Sequence, residues 1–317
     1  MFKKILHSPG KLAGIALTVF VIFLVVKEIS QYSISEIITA FSEIPLKNLL
    51  FASIITFVDY LIIAAVDNLG FIWLGYRDFS LKRFILAAAG NAIWCNAGVL
   101  AGSTAKFRLY RSHGLDTMDI ASLVTFTSVT YFLGLFFLGG LSYLVEPFQL
   151  PSFISTDLIP GTKGILGIFL LCLVAGYFLI CILPGWKSIK TGSRNISLPS
   201  PQIAVFQVIL ASMDWLLASA VLMILVPDSF GLSAVQVIKT FVTAQIAVLI
   251  SQVPGGIGIF EGMVLLMLPE KVSASQGFAT VLAFRTVFSL IPLLLSSSFF
   301  GIHELQNNLK INNEDIM

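Results

Sequence analysis

Charged residues are scarce in this sequence. Of 317 residues, 11% are charged and 57% are hydrophobic, and the mean hydropathy is +0.94. A soluble domain carries about 25% charged and about 45–50% apolar residues. A soluble protein of this composition would have to expose much apolar surface to water. The composition therefore excludes an ordinary soluble protein and predicts an integral membrane protein.

Cysteine and histidine are also rare. The three cysteines lie in apolar stretches without CxxC spacing, which predicts small core residues rather than redox or metal sites: Cys95, Cys172 and Cys181. The three histidines flank apolar segments and form no metal-binding pattern: His7, His113 and His303. No metal, no cofactor and no catalytic residue is expected from these counts.

Long hydrophilic segments are missing as well, and so is the nucleotide-binding pattern GxxxxGK[ST]. We therefore expect a single transmembrane domain over residues 1–317, without a soluble catalytic domain. The net charge of +2 does not indicate a nucleic-acid partner. Any energy-dependent process would then rely on a gradient rather than on ATP, or proceed by simple equilibration.

Apolar runs dominate what is present. A membrane-spanning helix needs about 20 apolar residues. Six runs meet this length and predict an all-α polytopic bundle: 12–29, 49–74, 118–145, 164–184, 203–226 and 277–300. The first resembles a signal peptide, but the segment that follows offers no small-residue cleavage site, so we predict an uncleaved helix. Residues 33–45 have the spacing of a short interfacial helix.

Two further apolar regions are interrupted, at 84–105 and at 233–269. If 84–105 crossed the membrane once, nine basic residues would lie on each side; if it enters and returns, thirteen lie inside and five outside. The positive-inside rule favours the second arrangement. We therefore predict a re-entrant hairpin at 84–105 that enters from the cytoplasm, with both chain termini cytoplasmic.

The region 233–269 breaks at Pro254-Gly-Gly and predicts a second hairpin entering from the opposite side. Its first leg, 233–253, is long enough to cross fully, so both possibilities stay open. Paired broken helices of opposite polarity are typical of transporters. Non-helical backbone at membrane depth is tolerated only inside protein or beside water, so the hairpins are expected to meet in the interior.

Five charged side chains fall within apolar segments, where each costs about 2.5–3.5 kcal/mol at a helix centre: Asp59, Asp67, Asp214, Glu261 and Arg285. They either pair structurally or line a polar substrate path, and the position of Asp67 near the inner interface favours pairing. The depths of Glu261 and Arg285 are similar, which predicts that they face each other. Asp214 is the rival partner for Arg285.

The polar residues of both hairpins are candidate substrate contacts. A helix that begins after Pro254, Gly255 and Gly256 would present free N–H groups to an anion such as a lipid phosphate. Glu261 would bind a cationic group or Arg285. In the first hairpin, Asn91 and Asn96 would be unsatisfied in lipid. The basic segment 106–114 is either a solvated cytoplasmic face or a surface that attracts anionic headgroups.

The stretches AGSTAKFRLYRSHGL, SQVPGGIGIFEG and LAFRTVFSLIP resemble the lysylphosphatidylglycerol synthase transmembrane region, over roughly residues 10–300. The resemblance implies a membrane region that moves aminoacylated phospholipid between leaflets. In bifunctional relatives a separate cytosolic domain makes that lipid, and we expect no such domain here. The resemblance assigns these site residues: Gly102, Arg108, Tyr110, Pro254, Gly255, Gly256, Glu261 and Arg285.

The sequence thus predicts polar-lipid translocation across the bacterial inner membrane, with membrane lipids as partners. Two alternatives remain open. One is an intramembrane transferase acting on lipid-linked substrates, although no Ser–His or Cys–His pairing is visible. The other is an accessory protein for a separate lipid-modifying enzyme.

Overall fold

A computed structural model describes residues 35, 38, 42, 44–76, 80–97, 99–146, 164–183, 188–191, 194–251, 253–269, 271–272 and 274–314. The predicted first span at 12–29 lies outside the described residues, as does most of the predicted interfacial helix at 33–45.

The described chain is helical apart from one short β-hairpin between two long helices. Its strands are β1 (Ser188–Thr191) and β2 (Arg194–Ser197), which pair antiparallel. The α-helices are α1 (Leu46–Trp73), α2 (Leu81–Ala97), α3 (Val99–Arg111), α4 (Thr117–Val145), α5 (Ile165–Ile182), α6 (Pro201–Leu225), α7 (Ala234–Ser251), α8 (Ile259–Met267), α9 (Ala274–Phe284) and α10 (Ile291–Glu314). A π-helical segment, Arg285–Leu290, joins α9 to α10.

Six of these helical segments are long and apolar enough to cross a membrane: Leu46–Trp73, Thr117–Val145, Ile165–Ile182, Pro201–Leu225, Ala234–Ser251 and Gln276–His303. Five of them match predicted spans to within three residues at each end. The sixth, α7, is the first leg of the second interrupted region, and by length and composition it could cross. The all-α membrane bundle is confirmed.

Helix α1 shows how the bundle distributes its side chains. Phe51, Ile54 and Phe57 are exposed on its surface, while Asp59 and Asp67 are fully buried. This is the reverse of a soluble helix. Apolar residues face the surroundings, where lipid is the solvent, and the charged residues face the protein interior.

The first hairpin consists of α2 and α3, residues 81–111. It begins and ends at the same end of the bundle, because the Tyr76 hydroxyl, just before it, donates to Asp119 Oδ2, just after it, at 2.7 Å. Ser112 Oγ also lies 3.1 Å from Nε2 of His303, near the end of the last span. The predicted bounds of 84–105 were too short, because both legs continue as helix beyond the apolar run.

The second hairpin consists of α7, the turn Pro254–Gly256 and α8, residues 234–267. Its ends also lie close together, since Lys271 Nζ is 2.9 Å from the position of a Cβ on Gly231. Near its start, Lys239 lies 3.6 Å from Glu146, at the C-terminus of α4. Asp119, beside the first hairpin, lies at the N-terminus of α4. The two hairpins therefore enter the bundle from opposite ends.

The two hairpin tips meet inside the bundle, as the sequence predicted. A Cβ on Gly255, in the turn of the second hairpin, would lie 2.9 Å from the carbonyl oxygen of Asn96, at the end of α2. This contact places irregular backbone from one hairpin against the other hairpin rather than against lipid, which satisfies the requirement for broken helices at membrane depth.

The sidedness of these ends can be tested by cysteine labelling in a variant that lacks the three native cysteines. Ser112 and Ser229 are both exposed and flank the first and second hairpin, respectively. With cytoplasmic termini, an impermeant maleimide should label Ser229→Cys in spheroplasts, but should label Ser112→Cys only after permeabilisation. Labelling of both positions in intact spheroplasts would contradict the hairpin arrangement.

Candidate functional site

An ion pair lies where the hairpin tips meet. Arg285 Nε donates to Glu261 Oε1 at 2.5 Å, Nη1 donates to the Gly255 carbonyl at 3.0 Å, and Nη2 donates to the Gly256 carbonyl at 3.1 Å. Arg285 and Glu261 are 7% and 6% exposed. The prediction that these two side chains face each other is confirmed, and the contact between them is direct. We call Asn96, Gly255, Gly256, Glu261 and Arg285 the hairpin junction.

The Pro254-Gly-Gly sequence explains why two carbonyl groups face Arg285. Gly255 and Gly256 have φ of +68° and +64°, in the left-handed region that favours glycine. This conformation turns successive carbonyls out of the helical hydrogen-bond pattern. At membrane depth such groups are costly without a donor, and the guanidinium supplies donors in a fixed planar fork.

The second carboxylate oxygen of Glu261 caps the N-terminus of α8. The backbone N–H of Gly258 donates to Glu261 Oε2 at 2.7 Å. An anion site was predicted at this helix end, and in the structure the Glu261 carboxylate lies there. Arg285 also lies 4.9 Å from the centre of the Phe260 ring. Every charge at the junction thus has a partner within the protein.

Tyr60 on α1 connects the first hairpin to the last span. Asn96 Nδ2 donates to the Tyr60 hydroxyl at 2.8 Å, and that hydroxyl donates to the Phe288 carbonyl at 3.3 Å. Phe288 lies in the π-helical segment that begins at Arg285. Such segments are frequent at functional sites. Sequence reasoning missed Tyr60, although it directly follows Asp59 in an otherwise apolar span.

A second buried ion pair anchors the first hairpin. The Asp67 carboxylate accepts from Lys106 Nζ at 3.0 Å, from Thr127 Oγ1 at 2.8 Å and from the Tyr110 hydroxyl. These residues come from α1, α3 and α4, so the network joins three helices. The pairing interpretation of Asp67 agrees with this geometry.

Neither interpretation of the basic segment 106–114, a solvated cytoplasmic face or a surface that attracts headgroups, fits Lys106. Its side chain is 1% exposed and bound to Asp67. In the same segment Arg108 is half-buried and Arg111 is exposed. Without Lys106 the predicted count becomes twelve basic residues inside and five outside, which still favours the hairpin.

Three other predicted residues lie within the first hairpin, away from the junction. Asn91 is buried; its Nδ2 donates to the Ala87 carbonyl at 2.9 Å and its Oδ1 accepts from the Tyr131 hydroxyl at 3.4 Å. Tyr110 packs edge-on against Phe71. Gly102 lies against Trp94, where a Cβ would be 2.1 Å from the Trp94 Cα. The predicted site residues therefore form two groups. One group makes up the junction, and the other packs the helices of the first hairpin.

Gly102 gives a direct test of that packing. Gly102→Val should force α2 and α3 apart, because the obstacle is backbone, and overpacking costs about 1–3 kcal/mol or more. We expect a lower melting temperature of the purified protein and a lower yield of monodisperse protein. Gly176→Val on α5 is the matched control, since nothing lies within 4 Å of its Cβ position. Equal shifts in the two variants would contradict the close crossing.

Asp59 on α1 and Asp214 on α6 are both buried and lie close enough to interact electrostatically, whereas Arg285 is bound to Glu261. The rival prediction, in which Asp214 pairs with Arg285, is therefore not the arrangement seen. Among the described residues no group of three or more His, Cys, Asp or Glu could hold a metal ion.

Comparison with known proteins gives two relatives. The chain is 30% identical over 314 residues to "Uncharacterized protein slr0712" from Synechocystis, covering 96% of this chain and 94% of that protein. It is 28% identical over 266 residues to "Inner membrane protein YbhN" from Escherichia coli, covering 82% and 81%. No protein-family model matches the chain, and the narrower resemblance to the lysylphosphatidylglycerol synthase region stays a prediction.

Proposed function

The chain belongs to the same family as the Synechocystis protein slr0712, and from its membrane fold and its hairpin junction we propose that it translocates polar lipids across a bacterial inner membrane. The similarity to an inner membrane protein of Escherichia coli supports the location. In this proposal the first hairpin and both termini face the cytoplasm.

The observation that carries the proposal is the Glu261–Arg285 pair at the meeting point of two opposed hairpins. A buried ion pair is weak evidence for stability, because desolvation of both charges offsets their attraction. Intramembrane charges are typical of substrate and ion pathways. A pair placed where broken helices meet is suited to exchange its partners with a polar headgroup.

The exchange can be described in terms of the groups at the junction. A lipid phosphate would take the place of the Glu261 carboxylate at the Arg285 guanidinium and at the N-terminus of α8. The released carboxylate would then pair with a cationic group of the same headgroup. Each buried charge keeps a partner throughout, which lowers the barrier. A headgroup with both a phosphate and an ammonium, such as aminoacylated phosphatidylglycerol, matches this requirement.

The acyl chains would remain in the surrounding bilayer during this exchange. The outer surface of the bundle suits this arrangement, because its long helices expose large apolar residues, among them Phe169 on α5 and Leu295 on α10. Only the headgroup would need the polar interior between the hairpins. A lipid therefore fits the site better than a free polar solute does.

Purified protein in liposomes tests the proposal. Headgroup-labelled phosphatidylglycerol and its lysyl derivative are placed in one leaflet, and their accessibility to an external reagent is followed with time. Faster redistribution than in protein-free liposomes supports translocation. A new lipid product by chromatography would indicate a transferase instead, and neither change would favour the accessory role.

A further inference from the structure

Asp59 is a buried carboxyl group without a hydrogen-bond donor in the described structure. It is 0% exposed, and neither of its oxygens has a hydrogen-bond partner there. The two buried cations do not supply a counter-charge for Asp59, because Lys106 binds Asp67 and Arg285 binds Glu261. An isolated buried carboxylate costs several kcal/mol, so an ionised Asp59 in this place requires a compensating ligand.

Asp214 on α6 is 5% exposed and interacts electrostatically with Asp59. The residues that directly follow the two carboxyl groups, Tyr60 and Trp215, pack in the same hydrophobic cluster, which places Asp59 and Asp214 on facing sides of α1 and α6. A carboxylate only accepts hydrogen bonds, whereas a protonated carboxyl also donates one. Two carboxyl groups in contact therefore bond to each other only when at least one carries a proton. Two carboxylates that share a buried site cannot both ionise readily.

A second orphaned group lies on the same face of α1. The Thr56 hydroxyl, one turn before Asp59, is buried and has no hydrogen-bond partner among the described residues. Residues three apart on a helix are neighbours on one face. The site thus holds an unpaired hydroxyl beside the carboxyl pair. This hydroxyl can accept or donate a hydrogen bond when the charge of the pair changes.

The weakly acidic groups on which Asp59 and Asp214 act electrostatically are neutral at ordinary pH. They are Tyr60 on α1, Cys95 on α2 and Tyr131 on α4. Each is weakly acidic, so none supplies the positive charge that two carboxylates would need. A proton is the smallest cation that can occupy the place, and it needs no ring of oxygen ligands.

We propose that Asp59 and Asp214 form a proton-binding carboxyl pair that couples lipid translocation to the proton gradient. The coupling rests on the proposed function, whereas the proton site does not. In one cycle the pair takes up a proton from one side and releases a proton to the other side, so the protein returns to its starting charge. The pair lies near the junction, because Tyr60 follows Asp59 and bonds Asn96.

Infrared difference spectroscopy between acidic and alkaline pH tests the proton site without a transport assay. Wild-type protein should show a carboxylic C=O band that appears on acidification, and Asp59→Asn and Asp214→Asn should each remove or shift it. Asp228→Asn, at an exposed position, is the matched control and should keep the band. An unchanged band in Asp59→Asn, or loss of the band on adding sodium at constant pH, would overturn the proton site.

Transport in proteoliposomes tests the coupling. With one proton exchanged per lipid, a gradient of one pH unit biases the leaflet ratio by up to about tenfold. Wild type should show this bias and Asp59→Asn should lose it. Translocation by wild type without any bias would overturn the coupling. If wild type moves no lipid, the proposed function fails, and the infrared result alone decides the proton site.

Discussion

Arg285→Gln is expected to abolish lipid translocation and to destabilise the protein by about 3–5 kcal/mol, the cost of leaving one charge of a buried pair alone. The variant leaves the Glu261 carboxylate without its cation. It also removes donors from the Gly255 and Gly256 carbonyls, which Arg285 binds at 3.0 and 3.1 Å. Glutamine can replace only part of this set, because its amide offers two donors in another geometry.

Glu261→Gln should impair translocation as well, because Arg285 then keeps its carbonyl partners but loses its counter-charge. The double variant should be less damaging than the sum of the single variants, with an interaction energy of about 0.5–3 kcal/mol. Thermal unfolding of the wild type, the two single variants and the double variant in one detergent, together with the liposome assay, gives the complete double-mutant cycle.

Glu146→Gln provides the matched control for Glu261→Gln. Glu146 also pairs with a basic residue, Lys239, but at 3.6 Å and with the Glu146 side chain 29% exposed. This variant leaves Lys239, whose side chain is only 10% exposed, without its carboxylate, so it should lower stability but retain translocation, because the pair lies outside the junction. Strictly additive losses in the Glu261–Arg285 cycle, or equal losses in Glu146→Gln, would contradict the junction as the origin of the effect.

Replacement of Gly255 and Gly256 by leucine should stop translocation while membrane insertion stays largely intact. Both residues have positive φ, where a side chain costs about 1–3 kcal/mol. At Gly255 a Cβ would lie 2.9 Å from the Asn96 carbonyl oxygen, so the hairpin tips must separate. At Gly256 it would lie 2.6 Å from a Val248 methyl group, which a side-chain movement can relieve.

Alanine variants separate backbone strain from the contact between the tips. Gly258 has φ of +80° but nothing within 4 Å of its Cβ position, and helical Gly262 has neither strain nor contact. We expect the loss of translocation to fall in the order Gly255→Ala, Gly258→Ala, Gly262→Ala. Equal effects at Gly255 and Gly258 would show that the contact with Asn96 is unimportant.

The sequence predicts five of the spans and both hairpins, because these elements depend on hydropathy and on the distribution of basic residues. It also predicts the Glu261–Arg285 pair, because an unpaired charge within the membrane is costly and these two opposite charges lie at similar depth. Depth, however, does not specify which side of a helix faces which neighbour. The proximity of Asp59 to Asp214 depends on how α1 and α6 pack, and no local pattern encodes that packing.

Lys106 shows a second limit of sequence reasoning. A lysine after an interrupted apolar region has the same pattern whether it lies in water or binds a carboxylate 39 residues earlier in the chain. The π-helical segment at Arg285 was equally hidden, because no proline or glycine marks it in RTVFSL. Both features arise from tertiary contacts, and the first of them changes the interpretation of the basic segment 106–114.

The central claim is that a lipid headgroup enters the hairpin junction. The most direct measurement is photocrosslinking from the turn. Ile257, a half-buried residue there, is replaced with a photoreactive amino acid, and the variant is reconstituted in proteoliposomes that contain headgroup-labelled lysyl-phosphatidylglycerol. Phe169, exposed on α5, is the control position. Phospholipase C cuts the lipid between glycerol and phosphate. After illumination and digestion, the Ile257 variant should keep the label because it is crosslinked to the headgroup. The Phe169 variant should lose the label because it is crosslinked to the acyl chains. Absence of label at position 257, or its release there by phospholipase C, would contradict the account.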